Sequence, residues 1–246
     1  MEPSEYESIA RLEGTHWWYV GMRRISAALL AGANLRADAV ILDAGCGPGG
    51  TSALLQRYGK VVGLDLAKEA VELARKHEGL AVVRGSVGTL PFADGSFDLV
   101  TSFDVLYHRA VGDDGAAVRE AARVLKPGGW FLLRLPAFEF LRSEHDRVVH
   151  TQRRYRAGQV RALVERAGLL VERLTYANAV LFPLAALKRG LERLRPHDAP
   201  QSDVQETPAL LNAALTGVLA LEGSLVRRWR LPLGVSVCCL ARKPIG

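Results

Sequence analysis

The chain has 246 residues, with 32 Lys+Arg against 26 Asp+Glu for a net charge of +6; 49% are hydrophobic and 24% charged. That composition excludes a disordered chain, a collagen and a coiled-coil rod. The length fits one large domain, or one domain with a sizeable insertion, and suffices for a core without staples.

Three cysteines (Cys46, Cys238, Cys239) make no disulfide framework, which points to a reducing compartment. The acidic start MEPSEYESIA lacks the apolar stretch of a signal peptide. The longest apolar run, Pro208 to Leu221, is 14 residues, short of the ~20 that span a bilayer. A cytoplasmic protein without a transmembrane segment is therefore expected, with peripheral membrane contact left open. The cations are unevenly spread. Twenty-six are Arg and six Lys, and between Arg142 and Arg173 eight Arg stand against Glu144, Asp146, Glu165 and Glu172.

Residues 1–36 read as an N-terminal helical cap, in which His16-Trp17-Trp18-Tyr19 runs into a helix bearing Arg23-Arg24. Residues 37–246 form the main domain. Ala39 to Leu42 is a short continuous apolar run, as in a central strand covered on both faces. The glycine-dense turn from Asp43 to Gly50 opens a helix through about Tyr58. Strand Val61–Leu64, helix Ala67–His77 and strands Leu80–Val83 and Phe97–Ser102 follow. A helix over Asp113–Leu125 stops at the breaker cluster Lys126-Pro127-Gly128-Gly129, before strand Trp130–Leu135. Residues 136–155 read as a long polar loop, Ala157–Ala167 as a helix, Leu169–Tyr176 as a strand and Asn178 to about Arg195 as a helix. A linker rich in Pro, Asp, Gln and Ser (196–208), a helix from Ala209 to about Arg228 and a strand over Gly234–Ala241 complete the chain. Repeating β-α-β units imply an α/β fold: a doubly wound, seven-stranded, mostly parallel sheet with right-handed crossovers. The helical insertion before the last strand, about 177–231, is expected to form a substrate lid, because ligands of open α/β sheets bind at the strands' carboxyl ends.

Gly45, Gly47 and Gly50 satisfy G-x-G-x-x-G after a strand, and Asp65 lies 20 residues beyond Gly45. Such a loop bares backbone N–H groups to an adenosine-containing ligand, with an acid placed for ribose hydroxyls. Asp43, at the strand's exit, separates the candidates. A carboxylate there would repel a pyrophosphate by several kcal/mol, about the value for poorly screened charges. It suits a ligand carrying a sulfonium and an ammonium, so S-adenosylmethionine is favoured over NAD.

These residues resemble the class I S-adenosylmethionine-dependent methyltransferases. The match runs through Asp43-Ala44-Gly45-Cys46-Gly47-Pro48-Gly49, Asp65, Leu90-Pro91-Phe92, Phe97-Asp98-Leu99-Val100 and Arg123-Val124-Leu125-Lys126-Pro127-Gly128-Gly129. It covers about residues 38–135, and the branch looks like the ubiquinone/menaquinone-biosynthesis type of small-molecule methyltransferase. The resemblance implies a Rossmann-like methyltransferase fold with S-adenosyl-L-methionine as cofactor and S-adenosyl-L-homocysteine as product. It implies that Asp43 and the backbone of Gly45, Cys46, Gly47 and Gly49 face the methionine portion. Asp65 would take the ribose hydroxyls, Leu66 would pack on adenine, Ser86 and Val87 would lie at the adenine edge and Phe103 near the methionine part. Many members have Asp where this chain has Ser86, whose hydroxyl offers a neutral contact rather than a charge-assisted one.

Methyl transfer is an in-line displacement to which a protein contributes alignment and exclusion of water. A base helps when the acceptor is a hydroxyl or a C–H acid, by about 10²–10⁴-fold. His108, just after the Phe97–Ser102 strand, is the first candidate; equally it would be a loop histidine capping the helix near Asp113. His145 beside Asp146 is a second, with His150, Arg153, Arg154 and Tyr155 as acceptor-binding residues, or else a solvated basic loop. Tyr19 or His16 would lie near the acceptor if the aromatic cap closes over the cofactor; otherwise that segment is an apolar plug. His145, Asp146 and His150 make an incomplete ligand set, so no metal site is expected.

The leading expectation is an enzyme that methylates an oxygen or carbon of a small, anionic acceptor, phosphorylated, glycosylated or lipid-linked. The alternatives are a nucleic-acid methyltransferase and an S-adenosylmethionine-binding protein without methylation activity. Phe103-Asp104-Val105-Leu106 differs from the Asn/Asp-Pro-Pro-aromatic segment used on nucleobase amino groups, which weighs against nucleic acid.

Overall fold

The structure, a computed structural model, describes residues 3–192 and 206–245. In chain order it has α1 (Pro3–Leu12), α2 (Trp17–Leu30), β1 (Ala39–Ala44), α3 (Gly50–Leu55), β2 (Gly59–Asp65), α4 (Lys68–Ala74), β3 (Ala81–Arg84) and β4 (Phe97–Phe103). There follow α5 (Asp114–Val124), β5 (Leu125–Pro136), α6 (Glu144–Val148), α7 (Ala157–Arg166), β6 (Leu170–Ala177), α8 (Phe182–Glu192), α9 (Ala209–Val226) and β7 (Ser236–Arg242).

The seven strands form one sheet in the order β3-β2-β1-β4-β5-β7-β6. All neighbours are parallel except β7, which runs antiparallel to both β5 and β6. Strand order reverses between β1 and β4, so their carboxyl ends frame the crevice where ligands of such sheets bind. The continuous apolar runs of the inner strands follow from burial on both faces. On one face α5 and α7 pack through Val118, Ala121, Val160 and Val164 onto Leu133 and Cys239. On the other, α2 and α9 pack through Ile25, Leu29, Leu219 and Val226 onto Ile41, Leu132 and Cys238.

Two local readings change. Lys126–Gly129 does not break the chain away from the sheet: Leu125 caps α5 and already pairs with Phe97, and a register shift in β4 absorbs the join. The polar stretch 136–155 holds the short helix α6, whose Ser143/Asp146 capping box satisfies its first N–H groups. Most of the expected linker, residues 196–205, lies outside the described residues.

The cap and the insertion meet. Gly21 of α2 lets Leu219 of α9 approach so closely that a Cβ at Gly21 would lie 2.3 Å from its Cδ1. Asn212 fastens the end of the contact, its Oδ1 accepting from Trp17 N (2.8 Å) and its Nδ2 donating to Thr15 O (2.9 Å). The insertion also turns apolar side chains outward. α8 buries none of its residues, and Leu184, Leu187 and Leu191, on one helical stripe, are all exposed. α9 continues past the 14-residue apolar run to 18 residues, and by length and composition it is long and apolar enough to cross a membrane.

Candidate active site

The glycine loop leaves β1 at the switch point and is pinned to β2, Gly45 N and Cys46 N both donating to Leu64 O (2.7 and 2.9 Å). Gly45 has φ +88°, and a Cβ there would sit 2.2 Å from Val105 Cγ2, so no other residue fits. Gly47 has φ +54° with nothing within 4 Å of its missing Cβ: bare backbone faces open space. Asp65, at the end of β2, accepts from Gly47 N (2.9 Å) and Ala67 N (3.0 Å). Burial pushes its carboxyl up, and these backbone donors pull it back. His77, which no spacing pointed to, holds the far side of the loop through Nε2 and Pro48 O (3.1 Å).

Beyond Asp65, Leu66 stands 51% exposed, an apolar surface at the crevice with nothing covering half of it. The Ser86 hydroxyl oxygen accepts from Gly88 N (3.2 Å), which leaves its proton to donate. The Val87 side chain faces the core beside Leu90, so contact with a ligand there would fall to its backbone. Cys46, Cys238 and Cys239 are buried, and burial pushes Cys238 and Cys239 up to about 12, so none is a thiolate near neutrality.

Asp43 is buried in the floor, each oxygen taking a hydroxyl: Oδ2 from Ser52 (2.6 Å) and Oδ1 from Thr101 (2.7 Å). Burial raises its pKa; the two hydroxyls and Arg134 oppose the rise. Its hydrogen bonds hold β1, α3 and β4 together. Arg134 was hidden inside an apolar run of β5. Its Nε (2.9 Å) and Nη2 (2.7 Å) both reach Asp104 Oδ2, and its guanidinium lies 4.9 Å from the Phe103 ring centroid. Asp104, the first residue after β4, has φ +57°, a left-handed conformation uncommon for a side-chain-bearing residue. A strained acid paired to a buried guanidinium at a carboxyl edge is a functional-site signature.

Residues of α1 and α2 lie against this site. Tyr6 of α1 is pushed up to about 12 by burial, with Asp65 and Glu69 adding to the rise. Tyr19 of α2 is also raised, by burial and then by Glu13, Glu5 and Asp104, so near neutrality its hydroxyl is a donor and not a base. Glu13, unrecognised in the sequence, puts Oε1 on Gly50 N (3.1 Å). Arg23 donates to the Glu13 carbonyl. Burial lifts Glu13 from 4.5 to about 7, against the pull of Arg23 and Gly50 N. Its acid form is favoured by folding. The stability it contributes is fully present below pH 4.5 and is lost as pH rises through about 7. Glu13→Gln is accordingly expected to match the parent protein near pH 4.5 and to melt at a progressively higher temperature than the parent toward pH 8. A constant difference across that range would contradict the buried-acid assignment.

The second cluster is built differently from its sequence reading. His108 Nδ1 accepts from Ala110 N (3.1 Å), capping the short 3-10 turn Arg109–Val111 rather than the helix near Asp113. Burial pushes it down from 6.5 to about 4, so the ring is neutral and carries its proton on Nε2. To act as a base through Nδ1, His108 would have to break its own cap. Asp146 is engaged by an arginine. It receives Arg154 Nε (3.0 Å) and Nη2 (2.9 Å) in a fork, with side chains only 3% and 9% exposed. Arg153 pairs with Asp114 (2.9 Å), which also accepts the Tyr155 hydroxyl (2.8 Å). Arg153, Arg154 and Tyr155 thus bind acids of the chain itself, not an incoming acceptor, and with the His108–Thr151 bridge they lock the 136–156 segment onto the β4–α5 loop. His150 lies against His108, ring centroids 5.6 Å apart. His16 is buried as the N-cap of α2, Nδ1 accepting from Trp18 N (3.3 Å) with Nε2 at Thr207 Oγ1 (3.3 Å), so it clasps cap to insertion. No three His, Cys, Asp or Glu among the described residues are placed to hold a metal ion.

Comparison with known proteins agrees with this geometry. Residues 42–133 match the methyltransferase domain family. The chain is 42% identical over 108 residues to the uncharacterized methyltransferase YcgJ of Bacillus subtilis, covering 41% of this chain and 42% of that one. It is 30% identical over 155 residues to the ubiquinone biosynthesis O-methyltransferase of Thiobacillus denitrificans, covering 55% and 66%. The crystal structure of Bacillus subtilis YcgJ superposes with a TM-score of 0.58 at 22% identity, covering 90% of this chain and 99% of that one. The chain spans about half the length, or less, of the first curated relatives it matches. The matched domain is that of a class I S-adenosylmethionine-dependent methyltransferase, whose cofactor is S-adenosylmethionine.

Proposed function

We propose that the protein transfers the methyl group of S-adenosylmethionine to an oxygen or carbon of a small anionic acceptor. The observation that carries this reading is the open space over Gly47, flanked by the carboxylates of Asp43 and Asp65. The cofactor, when bound, supplies a methyl carbon already activated by its sulfonium. Asp65 would hold the ribose hydroxyls, Leu66 would cover one adenine face, and Ser86 with the Val87 backbone would meet its edge. The backbone of Gly45, Cys46, Gly47 and Gly49 would take the methionine portion, with Phe103 beside it. Asp43 supplies negative charge opposite the two cationic groups, a favourable field in a dry site.

The acceptor's anionic character rests on Arg23, whose side chain donates to a backbone carbonyl rather than to a carboxylate, because Arg134, Arg142, Arg153 and Arg154 are already bound to Asp104, Glu139, Asp114 and Asp146. Tyr19 would donate a hydrogen bond to the acceptor from the cap, and the cap with the 177–231 insertion would exclude water as a lid. Oxygen is favoured over carbon by the likeness to the O-methyltransferase of Thiobacillus denitrificans. The test is release of S-adenosylhomocysteine when the purified protein meets S-adenosylmethionine and cell metabolites separated by charge. Product release with the anionic small-molecule fraction is expected. Release only with RNA, or none with any fraction, would overturn the acceptor class or the transfer activity respectively.

A further inference from the structure

We propose that the outward face of α9, with the arginine turn that follows it, docks on an anionic lipid bilayer. The inner face of α9 is fixed to the domain: Leu219, Glu222, Gly223 and Val226 are buried, and Glu222 Oε2 accepts from Ala179 N (2.7 Å) and Val180 N (3.1 Å). Those bonds hold the helix along the protein rather than free to cross a membrane. The opposite face carries Leu210, Ala214, Leu221 and Leu225 on one helical stripe. Leu210 is 88% and Leu221 70% exposed, and no charged residue occurs from Ala209 to Leu221. An exposed leucine stripe on an 18-residue helix, ~27 Å long at 1.5 Å per residue, is too large to be scattered surface residues.

Charge selects the occupant. Where the stripe ends, Arg227, Arg228 and Arg230 surround Trp229, which is 66% exposed, and none of the three arginines has an ion pair among the described residues. Apolar side chains facing outward, an aromatic at their margin and arginines beside it match the depth order of a bilayer surface: acyl chains, interface, anionic headgroups. The inference does not depend on methyl transfer and stands or falls separately from it.

The test is co-sedimentation of the full chain with phosphatidylcholine vesicles, with and without phosphatidylglycerol, alongside sedimentation equilibrium of the protein alone. Binding to the phosphatidylglycerol vesicles is expected, with a blue shift in emission that Trp229→Phe removes. Changing Arg227, Arg228 and Arg230 together to Gln should weaken that binding about 100-fold, at roughly fivefold per arginine. Leu221→Asp should abolish it while S-adenosylmethionine binding stays intact, which shows that the variant is folded. Equal binding to neutral vesicles would overturn the charge argument, and no binding to either would overturn the proposal. A dimer that Leu221→Asp dissociates, without vesicle binding, would give this face to a second copy and overturn it as well.

Discussion

Asp65→Ala is expected to lower S-adenosylmethionine affinity by about 100-fold or more, because two charge-assisted bonds to the ribose, each worth roughly 1.5–3 kcal/mol, disappear together. The same carboxylate ties Gly47 N to the end of β2, so its removal also frees the loop that must present backbone to the ligand. Gly47→Val is expected to act by a different route and to reach the same loss. It fills open space beside the loop and puts a β-branched residue at φ +54°. Calorimetric titration of both variants, with circular dichroism to confirm folding, separates these effects from collapse of the sheet. Parent-like binding by either variant would mean that the ligand does not approach the loop from this side.

Arg134→Ala is expected to cost about 3–5 kcal/mol of stability, the usual penalty for removing one partner of a buried pair. Asp104 would then be left with its charge uncompensated and its left-handed backbone unsupported. Arg134→Met combined with Asp104→Asn should recover most of the melting temperature, since both charges leave together. It should not recover S-adenosylhomocysteine release, because the charge pair beside Phe103 at the carboxyl edge of β4 is gone. Recovery of activity along with stability would reduce the pair to a structural strut. Full stability in the single variant would show that the pair is solvated and contributes little.

The sheet was legible in the sequence because its inner strands are covered on both faces and therefore read as unbroken apolar runs, as in Ala39–Leu42 and Trp130–Leu135. The glycine loop was legible because Gly45 and Gly47 occupy backbone conformations that few other residues adopt. Less visible was everything decided by contacts across the chain. His108 and Arg154 look like chemistry in one dimension, yet a backbone N–H and a buried carboxylate had already claimed them. Arg134 looked like a strand residue, although a lone guanidinium within Phe131-Leu132-Leu133-Arg134-Leu135 was itself a signal that something buried must pair with it. Glu13 gave no signal, because its partner, the Gly50 N–H, is 37 residues away. Cap and insertion are separate pieces in sequence, and the Gly21–Leu219 approach, the Asn212 clasp and the His16–Thr207 contact make them one layer.

The measurement that bears most directly on the whole assignment is isothermal titration of the unmodified protein with S-adenosylmethionine, S-adenosylhomocysteine and NAD in parallel. The two sulfur compounds are expected to bind in the micromolar range and NAD not at all, since Asp43 and Asp65 line a crevice that favours cationic groups and disfavours a pyrophosphate. Binding of NAD with no heat from S-adenosylmethionine would contradict the account at its root.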